Sequence, residues 1–311
     1  MLQGHLRARG HHIQRSRVRA AAHLVEPSDA PTRKAPKINR RVYSVPSPNF
    51  IWHIDGNHKL VRWRLVLHHG IDGFSRLVVF GQFSSNNRAD TVLSLFRDAI
   101  RKYGRPYKIR TDHGGENVDI WNYMVSTACS TDTRPVIVGS SVHNQRIERH
   151  NRSVNEQEIC NFRQLFYELE NEGILDPDND TDLFCLHYVF LPRINRSLSE
   201  FIDAHNNHAI STSRNITPAQ LFWINIHHSV PDNSFIANTT QGVNVQDLIH
   251  GQALPHVHVT ETPNPLTQEM FQELHRCVDP LSPVEGKELY RRTVEIVGRM
   301  MLVNHNSSNS P

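Results

Sequence analysis

The sequence contains few cysteines and lacks a long apolar run, and both shortages exclude classes of protein. Its four cysteines are widely separated and include no Cys-x-x-Cys pair, which argues against a disulfide framework and a cysteine-based zinc site. The longest apolar stretch, residues 183–192, is interrupted by Cys185 and His187 and is shorter than the roughly 18 residues that cross a bilayer. The opening residues, MLQGHLRARGHH, contain no apolar segment typical of a signal peptide. We therefore expect neither a membrane protein nor a secreted one.

The charge of the chain is close to balanced overall but is distributed unevenly. The net charge of the 311 residues is +3, whereas residues 1–41 contain ten Arg or Lys against two acidic residues, a charge of +8. The other 270 residues therefore carry −5. A basic arm on a mildly acidic body indicates a polyanionic partner that is bound through the arm. The alternative is a solvated basic tail that binds nothing.

Residues 1–47 are predicted to form a helix-turn-helix-like region followed by a linker. Residues 2–25 show two short helical patterns, and the second is basic, as in a helix that contacts DNA. A basic helix packed on the protein's own body is an equally good interpretation. The basic residues of this second helix are Arg15, Arg17 and Arg19. The linker adds a basic cluster typical of nuclear-import signals, so we predict a nuclear location. That cluster consists of Arg33, Lys34 and Lys37.

Residues 48–228 alternate between strand and helix patterns. Three β-prone runs near residues 50–55, 64–71 and 77–83 are joined by short connections, which predicts an antiparallel meander. Helix, strand, helix, strand and two long helices follow, so the fold class is α/β, with a mixed central sheet flanked by helices. The remaining residues 229–311 are predicted to form a small C-terminal region. We expect weak β structure near residues 256–260, then two short helices and a disordered tail.

Three acidic residues fall at positions where these elements can bring them together. Asp55 ends the first strand, Asp112 ends the fourth, and Glu148 lies in the first turns of a long helix, with 35 residues between Asp112 and Glu148. Each acid alone could be an ordinary surface residue. Together they could lie within about 10 Å and hold two divalent ions, which activate a hydroxyl for attack on a phosphodiester.

Five separated motifs resemble the integrase catalytic core, in the order in which that family has them. They are WHID (residues 52–55), DGFSR (72–76), TDHGGEN (111–117), NQRIER (144–149) and HNNHAISTSRNITPAQLFW (205–223). The 35-residue gap is similar to the D,D-35-E pattern of DDE-type polynucleotidyl transferases. The sequence is most similar to the integrase core domains of animal and fungal genomes, which descend from mobile elements. The resemblance implies an RNase H-like fold.

The resemblance also implies roles for particular residues. Asp55, Asp112 and Glu148 are expected to be the catalytic residues and the ligands of two Mg²⁺ (or Mn²⁺) ions. Positions three, four and seven after the glutamate often contact DNA in this family. Here these positions are Asn151, Arg152 and Asn155. The zinc-binding HHCC domain of retroviral integrases is not recognisable, so we expect no zinc and a different mode of binding DNA ends.

The activity implied by the resemblance is metal-dependent processing of DNA ends followed by strand transfer. The expected partners are the element ends and target DNA, and a homo-oligomer is expected because two ends are joined in concert. One alternative comes from another class: a domesticated, catalytically inactive DNA- or chromatin-binding protein that retains the fold. A plain RNase H-like nuclease is the third reading, disfavoured by the NQRIER and Thr-Pro segments.

Overall fold

A computed structural model describes residues 2–25, 45–128, 134–139, 145–226 and 257–308 of the chain. The two predicted N-terminal helices are confirmed as α1 (Leu2–Ala8) and α2 (Arg15–Val25). The predicted nuclear-import cluster lies outside the described residues. Within the part of the chain that is described, no helix is long and apolar enough to cross a membrane.

The centre of the molecule is a five-stranded mixed sheet in the order β3-β2-β1-β4-β5. The meander consists of β1 (Ile51–Leu60), β2 (Leu65–Asp72) and β3 (Val78–Ser84), which pair antiparallel. The short strands β4 (Lys108–Thr111) and β5 (Val136–Val138) extend the sheet in parallel on the other side of β1. This sheet, flanked by helices, confirms the predicted α/β, RNase H-like fold class.

The first strand is longer than its sequence pattern predicts. It was expected to end at Asp55 but continues through Gly56–Leu60, where the pairing with β2 shifts register between Asn57 and Leu60. Residues 56–59 are glycine and polar residues, which gave no β signal. Because side chains alternate along a strand, Trp52 and Ile54 lie on one face of the sheet and Asp55 and Asn57 lie on the other. The extension therefore carries polar groups beyond the first acid.

One face of the sheet packs against α3 (Ala89–Tyr103), α4 (Val118–Ser126) and α8 (Pro218–Asn225). The core on this face includes the fully buried side chains of Trp52, Phe96, Trp121 and Phe222. Helix α8 begins as its sequence predicts, because Thr217 and Gln220 form a capping box and Pro218 occupies the first turn. These contacts hold the first half of β1 and the strand β4 in place relative to each other.

The opposite face packs against a long, nearly continuous helix and its neighbour. This helix consists of α5 (Gln145–Val154), a π-helical segment (Asn155–Ile159) and α6 (Cys160–Asn171). Its neighbour is α7 (Asp180–Asn206). The N-cap of α7 is Asn179, whose side chain accepts hydrogen bonds from two backbone N–H groups. The core between them and the sheet includes Leu65, Leu67, Phe83, Phe166 and Leu186.

The terminal helices pack on α7. Helix α1 approaches it so closely that a side chain at Gly4 would collide with the carbonyl of Ala204. At the other end of the chain, α9 (Gln268–Cys277) and α10 (Gly286–Ser308) bury Leu274 and Tyr290 in the same core as α7. The weak β structure expected near residues 256–260 is not formed in the described part, residues 257–260. Helix α10 also runs into the segment expected to be a disordered tail.

Candidate active site

The sheet brings the first two acids together. In the parallel pair β1–β4, His53 lies opposite Arg110. Asp112 directly follows the end of β4, and continuing this register by two residues brings it near Asp55, which lies in the middle of β1. The sequence predicted that the two acids meet, although it placed Asp55 at the end of its strand, and their charges do interact in the structure.

The carboxyl group of Asp55 is held in an environment that disfavours its charge. Burial, and next the charge of Asp112, raise its pKa from 3.8 to about 7. Hydrogen bonds from Asn151 and from the backbone of Gly56 act in the opposite direction. A divalent cation between the two carboxylates would relieve this repulsion, so the pair has the character of a metal site.

Asp112 is fixed by the turn that follows β4. Its Oδ1 accepts hydrogen bonds from the backbone N–H of Gly114 at 3.2 Å and from Asn117 Nδ2 at 3.1 Å. One position earlier, Thr111 Oγ1 accepts a 2.9 Å hydrogen bond from the buried indole N–H of Trp121 on α4. The turn therefore orients the acid, and the contact of Asn117 with Asp112 is one that the sequence reasoning missed.

Glu116 belongs to the same site. Its side chain is buried, and its charge also raises the pKa of Asp55, after the effects of burial and Asp112. It lies so close to Gly114 that a Cβ atom there would collide with the carboxylate. The φ of Gly114 is −68°, which any residue adopts, so no backbone turn requires a glycine here. The glycine instead makes room for Glu116.

The third acid of the predicted set stands apart from the two aspartates. Glu148 is exposed on α5, and it lines a groove together with Gly56, Asn57 and the exposed Arg152. Helix α5 is seated on the sheet by a buried stripe at helical spacing, formed by Ile147, His150 and Val154. Among the residues that the structure describes, no three His, Cys, Asp or Glu side chains are grouped closely enough to hold a metal. The structure therefore joins Asp55 to Asp112 and places Glu148 along the adjoining groove.

The predicted DNA-contacting residues divide into two groups. Asn151 donates a 2.7 Å hydrogen bond to Asp55 Oδ2, and both Asn151 and Asn155 accept hydrogen bonds from Asn57. Arg152 is exposed in the groove, where a phosphate could reach it. The arginines of the basic arm are exposed on α2, a different element from the walls of this groove. These are Arg15, Arg17 and Arg19.

Three histidines cluster where α5 packs on β2 and α7: His69 and His150 are buried and His205 is partly buried, and the sequence gave no signal for this cluster. His69 is opposite Asp55 in the β1–β2 pair, and its ring centroid is 5.2 Å from that of His150. The ring of His150 is in turn 4.9 Å from that of His205 on α7. Burial lowers the pKa of His69 to about 3 and that of His205 to about 4, and it also lowers the pKa of His150. The cluster is therefore neutral at pH 7.

The other nearby acid, Asp72, has a structural role. It is fully buried, and its carboxylate accepts hydrogen bonds from the Ser75 backbone and hydroxyl at 2.7 Å and from the Asn49 backbone at 2.8 Å. These bonds close the turn between β2 and β3, as is typical of an aspartate before glycine.

Comparison with known proteins gives one family match. Residues 42–260 match the family model described as integrase core domain, a longer span than the predicted core. A search of curated proteins finds no match to this chain. Among solved structures, the HTLV-2 integrase catalytic core domain in complex with magnesium is 20% identical and has a TM-score of 0.37, covering 57% of this chain and 97% of that one. The intasome of simian T-cell lymphotropic virus, in complex with PP2A regulatory subunit B56 gamma, is 17% identical and has a TM-score of 0.39, covering 81% and 73%.

Proposed function

The chain belongs to the integrase core domain family, and from that premise we propose that it is a DDE-type polynucleotidyl transferase. The proposed reaction is the processing of DNA ends followed by their transfer to target DNA. The observation that carries the proposal is the proximity of Asp55, in the middle of β1, to Asp112, just after β4, beside the groove lined by Glu148. This arrangement suits in-line attack on a phosphodiester that lies in the groove.

The residues present fit a divalent cation. The buried, mutually repelling carboxylates of Asp55 and Asp112 offer only oxygen donors, which Mg²⁺ and Mn²⁺ prefer. We propose that these two acids hold the metal and that Glu148 joins them when DNA occupies the groove. When bound, two such ions would polarise the phosphate and lower the pKa of an attacking water or 3′-hydroxyl.

The other residues of the site act by orientation and charge. Asn117 fixes Asp112, and Asn151 fixes Asp55, so that both carboxylates are held before substrate arrives. Arg152 is exposed beside Glu148, where its cation would bind a phosphate of the DNA strand. We propose that the arginines of α2 bind more distant phosphates of the same DNA. The proposed substrates are element ends and target DNA, and with them we propose a nuclear location and an oligomer that joins two ends.

One observation favours a second candidate function, a DNA-binding protein that no longer catalyses. Glu148 is exposed and lies outside the pair of aspartates in the described structure. In this alternative the groove still binds DNA, but the carboxylates do not gather around metal.

Strand transfer with branched DNA, in Mg²⁺ or Mn²⁺, separates the two candidates. The proposed enzyme should release product in either ion but none with EDTA, and Asp112→Asn should abolish the product while leaving DNA binding intact. Absence of cleavage and joining in the unaltered protein, with DNA binding retained, would favour the binding protein. A repeat with an upstream-extended chain controls for a contribution of preceding residues to DNA-end binding.

A further inference from the structure

We propose that Asn57 is a positioning residue of the active site. It orients the amide of Asn151, and through Asn151 it holds the carboxylate of Asp55 in one orientation for a ligand. The inference rests on the function proposed above, because it concerns how the same carboxylate is presented. Asn57 belongs to none of the motifs that identify the family.

The orientation of the Asn57 amide is determined on its own strand. Its Oδ1 accepts a 3.1 Å hydrogen bond from the backbone N–H of Lys59, so its Nδ2 must face α5. Both hydrogens of Nδ2 are used there. One bond runs to Asn151 Oδ1 at 3.0 Å and the other to Asn155 Oδ1 at 2.9 Å. The side chain is 6% exposed, so water competes little for these bonds.

This orientation is passed on to Asp55. Because Asn151 Oδ1 is engaged by Asn57, the Nδ2 end of the same amide points to Asp55 Oδ2, at 2.7 Å. A half-turn of the Asn151 amide would place its oxygen against the carboxylate and break both bonds. Asn57 therefore selects the one rotamer of Asn151 that donates to Asp55. The Asp55 carboxylate, which also accepts a hydrogen bond from the backbone of Gly56, is thereby held in one orientation for a ligand.

The same two hydrogen bonds hold the catalytic helix on the sheet. Asn151 and Asn155 are one turn apart, and Asn155 begins the π-helical segment, where the regular hydrogen bonding of the helix changes. Single-turn π segments are frequent at functional sites. Since Glu148 lies one turn before Asn151, a residue that anchors Asn151 and Asn155 to β1 also fixes the start of α5 over the groove.

Two variants of Asn57 and one matched control test the proposal. Asn57→Ala removes both donors, whereas Asn57→Asp keeps the shape but cannot donate. The control is Asn195→Ala on α7. Asn195 also makes two hydrogen bonds from a helix to a strand, to the backbone N–H and carbonyl of Phe83, at 2.8 and 3.1 Å. Its loss should disturb packing to a similar degree without touching Asp55.

The first measurement is Mn²⁺ binding to the intact protein, followed by the electron paramagnetic resonance of the free ion. Loss of a partner that orients a ligand typically weakens metal binding by about 10- to 100-fold, and we expect this for both Asn57 variants. Asn195→Ala should bind Mn²⁺ like the unaltered protein. Affinity close to that of the unaltered protein in a folded Asn57→Asp variant would overturn the proposal. An equal loss in Asn195→Ala would also overturn it, because the effect would then be general destabilisation.

The second measurement is hydrogen exchange without metal, which does not depend on activity. Residues 145–159 should exchange faster in both Asn57 variants and not in Asn195→Ala. If the unaltered protein binds no Mn²⁺ and transfers no strands, the proposed function fails, and exchange in this segment still decides whether Asn57 orients α5. Unchanged exchange there would reject the positioning role.

Discussion

Asn151 Nδ2 donates a 2.7 Å hydrogen bond to Asp55 Oδ2 and so joins two residues that are 96 positions apart in the chain. Asp55 comes from the first strand of the sheet and Asn151 from the helix that carries Glu148. The bond therefore connects the two parts of the site that must act together, although Glu148 itself lies outside the carboxylate pair. The proposed reaction requires Glu148 to join Asp55 and Asp112 when metal and DNA bind.

Replacing Asp55 should stabilise the protein in the absence of metal. The pKa of Asp55 is about 7 in the folded protein and 3.8 in the unfolded chain. Above pH 7 its carboxylate is charged in both states, and this charge is less favourable in the folded protein. Asp55→Asn removes this charge and should raise the free energy of unfolding by on the order of 1–3 kcal/mol at about pH 8.

The pH dependence of that gain checks its cause. The favourable contribution of protonated Asp55 is fully present below pH 3.8 and is lost as the pH rises through about 7. Urea unfolding in EDTA should therefore show the gain of Asp55→Asn shrinking as the pH falls from 8 towards 4. A gain that is independent of pH would indicate a packing effect instead.

Glu148→Gln should remove activity with little effect on stability. The side chain is exposed, and exposed substitutions usually change the free energy of unfolding by about 0.5 kcal/mol or less. We expect loss of strand transfer, unchanged thermal unfolding, and retained DNA binding in a fluorescence-anisotropy assay. Glu156→Gln is a control, because Glu156 is also exposed and lines the same groove but is not assigned to the metal. Full activity in Glu148→Gln would remove Glu148 from the catalytic set.

The buried histidines should make the protein sensitive to acid. A histidine whose pKa is lowered on folding contributes stability above its unfolded pKa of 6.5, and that stability is lost as the pH falls towards the folded value of about 4 for His205. Each such group costs about 1.4 kcal/mol per pH unit below 6.5. The variant that tests this is His205→Gln, because a glutamine side chain can still donate a hydrogen bond to the Arg76 carbonyl that His205 contacts at 3.0 Å.

The measurement is the difference in unfolding free energy between His205→Gln and the unaltered protein across pH 4 to 8. We expect the decline below pH 6.5 to be shallower in the variant, because one titrating group is missing. Parallel curves would show that His205 is protonated in the folded protein or that it is not buried in solution.

The arginines of α2 should contribute to DNA affinity through phosphates. Charge reversal of Arg15, Arg17 and Arg19 to Glu removes cations that are exposed, so the fold should remain intact. Each lost phosphate contact lowers the slope of log affinity against log salt concentration by about 0.9. Titrations at several salt concentrations measure that slope. An unchanged slope would mean that this helix does not bind DNA and only packs on the protein's own body.

The sequence predicted the elements that contain the acids better than it predicted the contacts between them. The meander, the position of Asp112 after β4 and the position of Glu148 on α5 could be predicted from strand and helix patterns and from family motifs, whereas Asp55 lies within β1 and not at its expected end. The fold class is confirmed. It could be predicted because the spacing of apolar residues determines which faces of strands and helices are buried. The roles of Asp55, Asp112 and Glu148 remain predictions.

What the sequence did not reveal depends on polar contacts between distant segments. Asn57 lies in the stretch Gly56–Leu60, which has no β signal, and its partners are almost 100 residues away. His69 and Glu116 are buried, although histidine and glutamate commonly occur at the surface. Their burial therefore becomes visible only in the packing of α5 and in the turn after β4. The two C-terminal helices were expected, but the sequence did not show that they pack into the core around α7.

The most direct test of the account is the location of Mn²⁺ in crystals of the protein, from its anomalous diffraction, with a DNA end bound. We expect Mn²⁺ in contact with the carboxylates of Asp55 and Asp112, with Glu148 turned towards them from α5. Crystals of Asp112→Asn grown under the same conditions should show no such ion. Anomalous density that is absent from this pair, or bound elsewhere while DNA lies in the groove, would contradict the assignment of these acids as the metal-dependent catalytic site.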